Sequence, residues 1–166
     1  MAVALELLLL RHAKAADATR GMTDFERPLT AEGRKQADRV GRLLAHRGLY
    51  PDVMVTSPAA RALETAERAA EGLGIARTAL RHESRIYEAD VPTLLQVVEA
   101  AAKGTAIRRV LLVGHNPGFE ELTAHVGALT ADWSFPKAGV ARIDLPGFPA
   151  GWGRRGAGRL LELLEP

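Results

Sequence analysis

The chain has 166 residues, no cysteine and a formal net charge of +2. That length suits one domain, residues 1–166, burying a single core; the lack of cysteine removes disulfides, thiolate metal sites and a cysteine nucleophile together; and so small a charge, carried by dispersed arginines, argues against a nucleic-acid partner. Residues 1–10 are largely apolar but carry Glu6, lack a basic flank and are too short to span a bilayer, so no membrane partner is expected and the expected location is cytoplasmic.

Residues 5–10, apolar apart from Glu6, read as a strand buried on both faces, the habit of a central strand covered by helices. Residues 14–28 are polar and irregular, a loop over the end of that strand. Thr30 caps a helix whose apolar positions Ala37, Val40, Leu43 and Leu44 recur at helical spacing until Gly48. Residues 52–56 form a short strand, after which Ser57 as N-cap and Pro58 at N1 open a helix with the stripe Ala59, Leu63, Ala66, Ala70 and Leu73. A minor strand is expected over 77–81, a helix over 92–102 and a strong strand over 109–113, where Asn116 and Pro117 repeat the cap-and-proline start. Residues 140–145 and 159–164 read as strands flanking a Gly- and Pro-rich stretch. The alternation predicts an α/β three-layer sandwich: a mostly parallel central sheet, an antiparallel C-terminal addition, and helices on both faces. Trp133, Phe135 and Trp152 suit either a contact surface or packing under the C-terminal hairpin.

The chemistry gathers at strand ends. Arg11-His12 follows the run Leu7 to Leu10, and His115 follows Val110-Leu111-Leu112-Val113-Gly114. In open α/β sheets ligands bind outside the carboxyl ends of the strands, so two imidazoles arrive at a reaction centre. Arg61 lies in the first turn of its helix, where a cation opposes the helix dipole unless an anion sits beside it and meets the free N–H groups near Ser57. Two guanidiniums offer planar forks that match phosphoryl oxygens. A zinc site would need a third protein ligand and would suffer from the two arginines, so no metal is expected.

Leu10-Arg11-His12-Ala13, Thr56-Ser57-Pro58 with Arg61-Ala62 and Thr65-Ala66, and Val113-Gly114-His115-Asn116-Pro117, in that order, resemble the histidine phosphatase superfamily, which includes the cofactor-dependent phosphoglycerate mutases. The short chain, Arg-His-Ala-Lys, Arg27-Pro28-Leu29-Thr30 and Gly-His-Asn-Pro look most like its SixA-type phosphohistidine phosphatases. Ala13 stands where the best-known motif has Gly, as is common in the SixA-like branch. The resemblance implies a phosphoglycerate mutase-like fold, no cofactor, and a phosphatase with a covalent phosphohistidine intermediate on His12. Arg11, Arg61, His115 and Ser57 would hold the phosphoryl group, and Glu88 would be the general acid, with Glu83 the second choice. Arg11, Arg61 and a protonated His115 would push His12 below the usual 6.5 and keep it neutral. Lys14, Arg20, Arg27 and Arg85 could surround the opening without assigned roles. The expected substrate is phosphohistidine on a protein; the alternatives are a phosphomonoesterase acting on a small phosphate ester and, more remotely, a non-catalytic phosphate-binding module. The expected state is a monomer.

Overall fold

The computed structural model describes residues 4–104, 106–130 and 132–166. Strand β1 (Leu5–Arg11) lies inside a six-stranded sheet, and its leucines explain why. Leu7 to Leu10 are completely buried; Leu5, Leu7 and Leu9 face one core, and Leu8 and Leu10 the other. Alternate side chains point to opposite faces, so a run apolar at every position fits only a strand covered on both sides.

The covers are two helix pairs. Helices α1 (Ala31–His46) and α2 (Ala60–Leu73) bury Val40, Leu44, Ala62, Ala66, Ala69, Ala70 and Leu73 over Leu8 and Leu10. Helices α3 (Val91–Ala101) and α4 (Gly118–Gly127) bury Leu94, Val97, Val98, Phe119, Leu122 and Val126 over Leu5, Leu7 and Leu9. Side chains of Thr30 and Asp90 accept the free N–H groups of Gly33 and Thr93, capping α1 and α3. The α1–α2 crossing is tight because glycines meet backbone there: a Cβ on Gly41 would lie 2.7 Å from the Ala69 carbonyl oxygen, and one on Gly72 would lie 2.8 Å from Gly41.

With β2 (Val53–Thr56), β3 (Arg81–His82), β4 (Arg109–Gly114), β5 (Val140–Leu145) and β6 (Arg159–Leu164), the order is β3-β2-β4-β1-β5-β6. The first four strands in that order are parallel; β5 runs antiparallel to β1, and β6 antiparallel to β5. This is the expected α/β sandwich with an antiparallel addition. Arg11 pairs with Gly114 and Thr56 with Val113, so β1, β2 and β4 end at one level and release His12, Ser57 and His115 side by side.

Local expectations needed correction in three places. Residues 77–79 form a 3-10 turn, and the minor strand is Arg81–His82. Helix α2 starts at Ala60 with Ala59 as N-cap, and α4 starts after Pro117 without a side-chain cap; Ser57 and Asn116 lie upstream and bond elsewhere. Leu63 is half-buried, whereas Arg61 and Thr65 are buried. The aromatic region packs inward: Phe135 and Trp152 are buried, Trp133 meets Phe135 edge-on at 5.4 Å, and the Trp152 indole N–H donates to Glu99 at 3.0 Å. Among the described residues no helix is long and apolar enough to cross a membrane.

Candidate active site

Backbone pairing continues past the strand ends and fixes the first imidazole. The His12 N–H donates to the Gly114 carbonyl at 2.9 Å, and the Ala13 N–H donates to Thr65 Oγ1 at 3.1 Å, which ties the segment after β1 to α2. Within this frame His12 Nδ1 lies 2.8 Å from the Ala13 carbonyl oxygen. Only an N–H can face a carbonyl, so Nδ1 carries the proton and Nε2 keeps its lone pair. Arg61 Nε–H donates toward that lone pair at 3.4 Å. Burial first, then the charges of Arg61 and Arg11, push His12 down to about 4.

The His12 and His115 rings stand 5.3 Å apart. Ser57, completely buried, places its hydroxyl 2.8 Å from His115 Nε2 and accepts from the Ala59 N–H at 3.3 Å. The hydroxyl that sequence assigned to a helix cap thus supports an imidazole. His115 is pushed down to about 3, chiefly by burial and then by His12 and Arg61, so it is neutral in the free protein and not protonated as expected. Three atoms here are buried and without a hydrogen-bond partner: Arg11 Nε, His115 Nδ1 and Asn116 Oδ1. Unpaired buried polar atoms are costly, and their concentration at one point marks a place prepared for a polar ligand.

Arg11 is aimed from behind. Its Nη1 donates to the Phe135 carbonyl at 2.7 Å, which also accepts from Asn116 Nδ2 at 3.2 Å. Glu120, in the first turn of α4, accepts the Phe135 N–H at 2.8 Å and completes the brace. The sequence pointed to the Phe135 ring but not to this brace, because Phe135 takes part through its main-chain N–H and C=O from a loop.

Asp24 is the main residue that sequence reasoning missed. It belongs to a 3-10 turn, Asp24–Glu26, in the loop over β1. Arg61 Nη1 donates to its carbonyl at 2.8 Å and Nη2 to its carboxylate at 3.0 Å; the Tyr87 hydroxyl and Arg27 Nη1 donate to the same carboxylate at 2.7 and 2.9 Å. Tyr87, Arg27 and Arg61 hold Asp24 far below the usual carboxylate range. Asp24, Arg61, Tyr87, Glu88, His115 and Asn116 help to line a cavity of about 320 Å3.

Glu88 is therefore at the cavity, with a left-handed backbone (φ 55°) that turns the chain between Tyr87 and Ala89. Glu83 is not: its carboxylate binds Arg85 at 3.0 and 2.9 Å and accepts the Arg85 N–H at 3.1 Å, closing a surface turn. Of the four rim cations, Arg27 reaches the site through Asp24, Arg85 is taken by Glu83, and Lys14 and Arg20 are exposed. Among the described residues no three His, Asp or Glu side chains gather as a metal site.

A family model described as histidine phosphatase superfamily, branch 1, matches residues 7–96, just over half of the chain. The crystal structure of an Agrobacterium tumefaciens protein provisionally assigned as the phosphohistidine phosphatase SixA is similar at TM-score 0.78 and 31% identity, covering 98% of this chain and 99% of that one. The protein histidine phosphatase SixA complexed with tungstate shares the fold, with TM-score 0.82 at 20% identity over 98% of this chain and 97% of that one. A 2,3-bisphosphoglycerate-dependent phosphoglycerate mutase of Thermobifida fusca is 36% identical over 84 residues, 49% of this chain and 34% of the mutase. The chain spans about a third of that mutase where the two match.

Proposed function

The chain belongs to the histidine phosphatase superfamily, and on that basis we propose that it removes phosphate from phosphohistidine on a protein through a covalent intermediate on His12. The observation that carries this reading is the state of His12: Nδ1–H spent on the Ala13 carbonyl, Nε2 unprotonated and facing Arg61, and unpartnered nitrogens of Arg11 and His115 close by. The Nε2 lone pair attacks phosphorus, the bond from phosphorus to the substrate nitrogen breaks, and the leaving imidazole takes up a proton. Water then attacks phosphorus, its proton is released to solvent or a neighbouring base, and the bond to His12 breaks to give inorganic phosphate. Arg11 and Arg61 neutralise the equatorial oxygens, and His115, held by Ser57, contributes Nδ1 at the same centre; each well-aimed donor is worth about 3 kcal/mol.

An imidazole is a far easier leaving group than an alkoxide, so this reaction tolerates a weak acid. Asp24 is ionised in the free protein and has no proton to give, which leaves Glu88 as the candidate donor. The half-exposed Asp24 lines the cavity, an openness that suits a phosphate carried on another protein. A second reading, phosphomonoester hydrolysis of a small metabolite, is favoured by one feature: the left-handed backbone at Glu88, which lines the cavity. Hydrolysis of a phosphohistidine peptide, set against a panel of sugar and acid phosphates, separates the two. Phosphohistidine should be turned over best; a sugar phosphate preferred over it would reverse the assignment.

A further inference from the structure

Arg61 reaches the phosphoryl seat with its charge already answered. Both terminal nitrogens bind Asp24, one on the carbonyl and one on the carboxylate, while Nε–H turns to His12. The contact is built rather than incidental. Tyr87 and Arg27 hold the same carboxylate, Arg27 is anchored by Nε on the Ala16 carbonyl at 2.9 Å, and the turn bearing Asp24 is closed by a capping box between Thr23 and Glu26.

A carboxylate and a phosphoryl group ask the same thing of a guanidinium: parallel N–H donors and a positive charge. A phosphoryl dianion between Arg61 and His115 meets the Asp24 carboxylate on the same cation, and two anions on one guanidinium repel. We propose that Asp24 is an internal competing ligand of Arg61, which the phosphoryl group displaces on entry and which expels inorganic phosphate on exit. The inference rests on the phosphatase reading of the site. It gives the loop over β1 a task in the catalytic cycle: to weaken the hold on product so that Arg61 can bind the transferring group strongly without being trapped by phosphate.

The test is binding of inorganic phosphate to the intact chain by titration calorimetry, for wild type, Asp24→Asn and Tyr87→Phe. Asp24→Asn keeps the shape and removes the competing charge, so phosphate should bind about tenfold more tightly. Tyr87→Phe removes one of the bonds that hold the carboxylate and should tighten binding about two- to threefold. With a phosphohistidine peptide, Asp24→Asn should lower kcat and KM together as product release slows, a pattern that general loss of structure does not give. Phosphate affinity unchanged or weakened in both variants, with wild type binding normally, would overturn the proposal alone. No phosphate binding by any of the three proteins would overturn the phosphoryl seat and this proposal with it.

Discussion

Acidification reports directly on the nucleophile. His12 is held near 4, against about 6.5 for a free imidazole, by burial and then by Arg61 and Arg11. At pH 5.5 an ordinary imidazole is about nine-tenths protonated, whereas His12 should remain about 97% neutral. Phosphohistidine is itself acid-labile, so the cleaner readout is NMR: the His12 ring resonances, assigned by their loss in His12→Asn, followed from pH 8 to pH 3.5. The midpoint should fall near 4, with 15N shifts of the neutral ring showing the proton on Nδ1. Arg61→Gln should raise the midpoint without restoring 6.5, because burial is the larger cause. The same depression acts on stability. The unfolded chain takes this proton first, so the contribution of His12 is complete above about pH 6.5, shrinks toward pH 4 and is gone below it; the gap amounts to about 3 kcal/mol. A midpoint near 6.5, or the proton on Nε2, would refute the reasoning from geometry to nucleophile.

Other outcomes follow from single contacts. Ser57→Ala leaves the buried Nε2 of His115 without its partner at 2.8 Å, a loss of about 1–3 kcal/mol that thermal unfolding should show as a lower Tm, and phosphate titration should show weaker binding. Gly41→Ala drives a methyl to within 2.7 Å of the Ala69 carbonyl oxygen, where only backbone can yield, and should destabilise the chain by about 1–3 kcal/mol in urea unfolding. Glu88→Gln should slow hydrolysis of a phosphomonoester more than that of phosphohistidine; equal losses would remove Glu88 as the acid.

What could be read from the residues was what depends on local pattern. Leu7 to Leu10 and Val110 to Val113 announce themselves by continuous apolarity, and Val140–Leu145 and Arg159–Leu164 by apolar residues interrupted by charges; Arg11, His12 and His115 were found because they sit one or two steps past the continuous runs, and Arg61 because a cation in a first helical turn opposes the dipole. What escaped was long-range and polar. Asp24 lies in an aperiodic loop and meets Arg61 across 37 positions, and no periodicity announces a carboxylate that folds back over a strand end. Ser57 read as a cap because Ser before Pro usually is one; the tertiary partner His115, 58 positions away, won the hydroxyl. Arg61 read as an anion ligand off the apolar stripe, but its burial to 7% exposure did not show, because the partners from the loop over β1 that close over it are distant in sequence. The expected charge on His115 failed for the same reason: burial, the dominant cause, is invisible until the helices are in place.

The central claim is that one nitrogen of His12 carries the phosphoryl group. Incubation with a reactive phosphodonor, rapid quench in alkali and mapping of the label should place an acid-labile, alkali-stable phosphate on His12 in the wild type and none on His12→Ala. Label of the same stability persisting in His12→Ala would contradict the account.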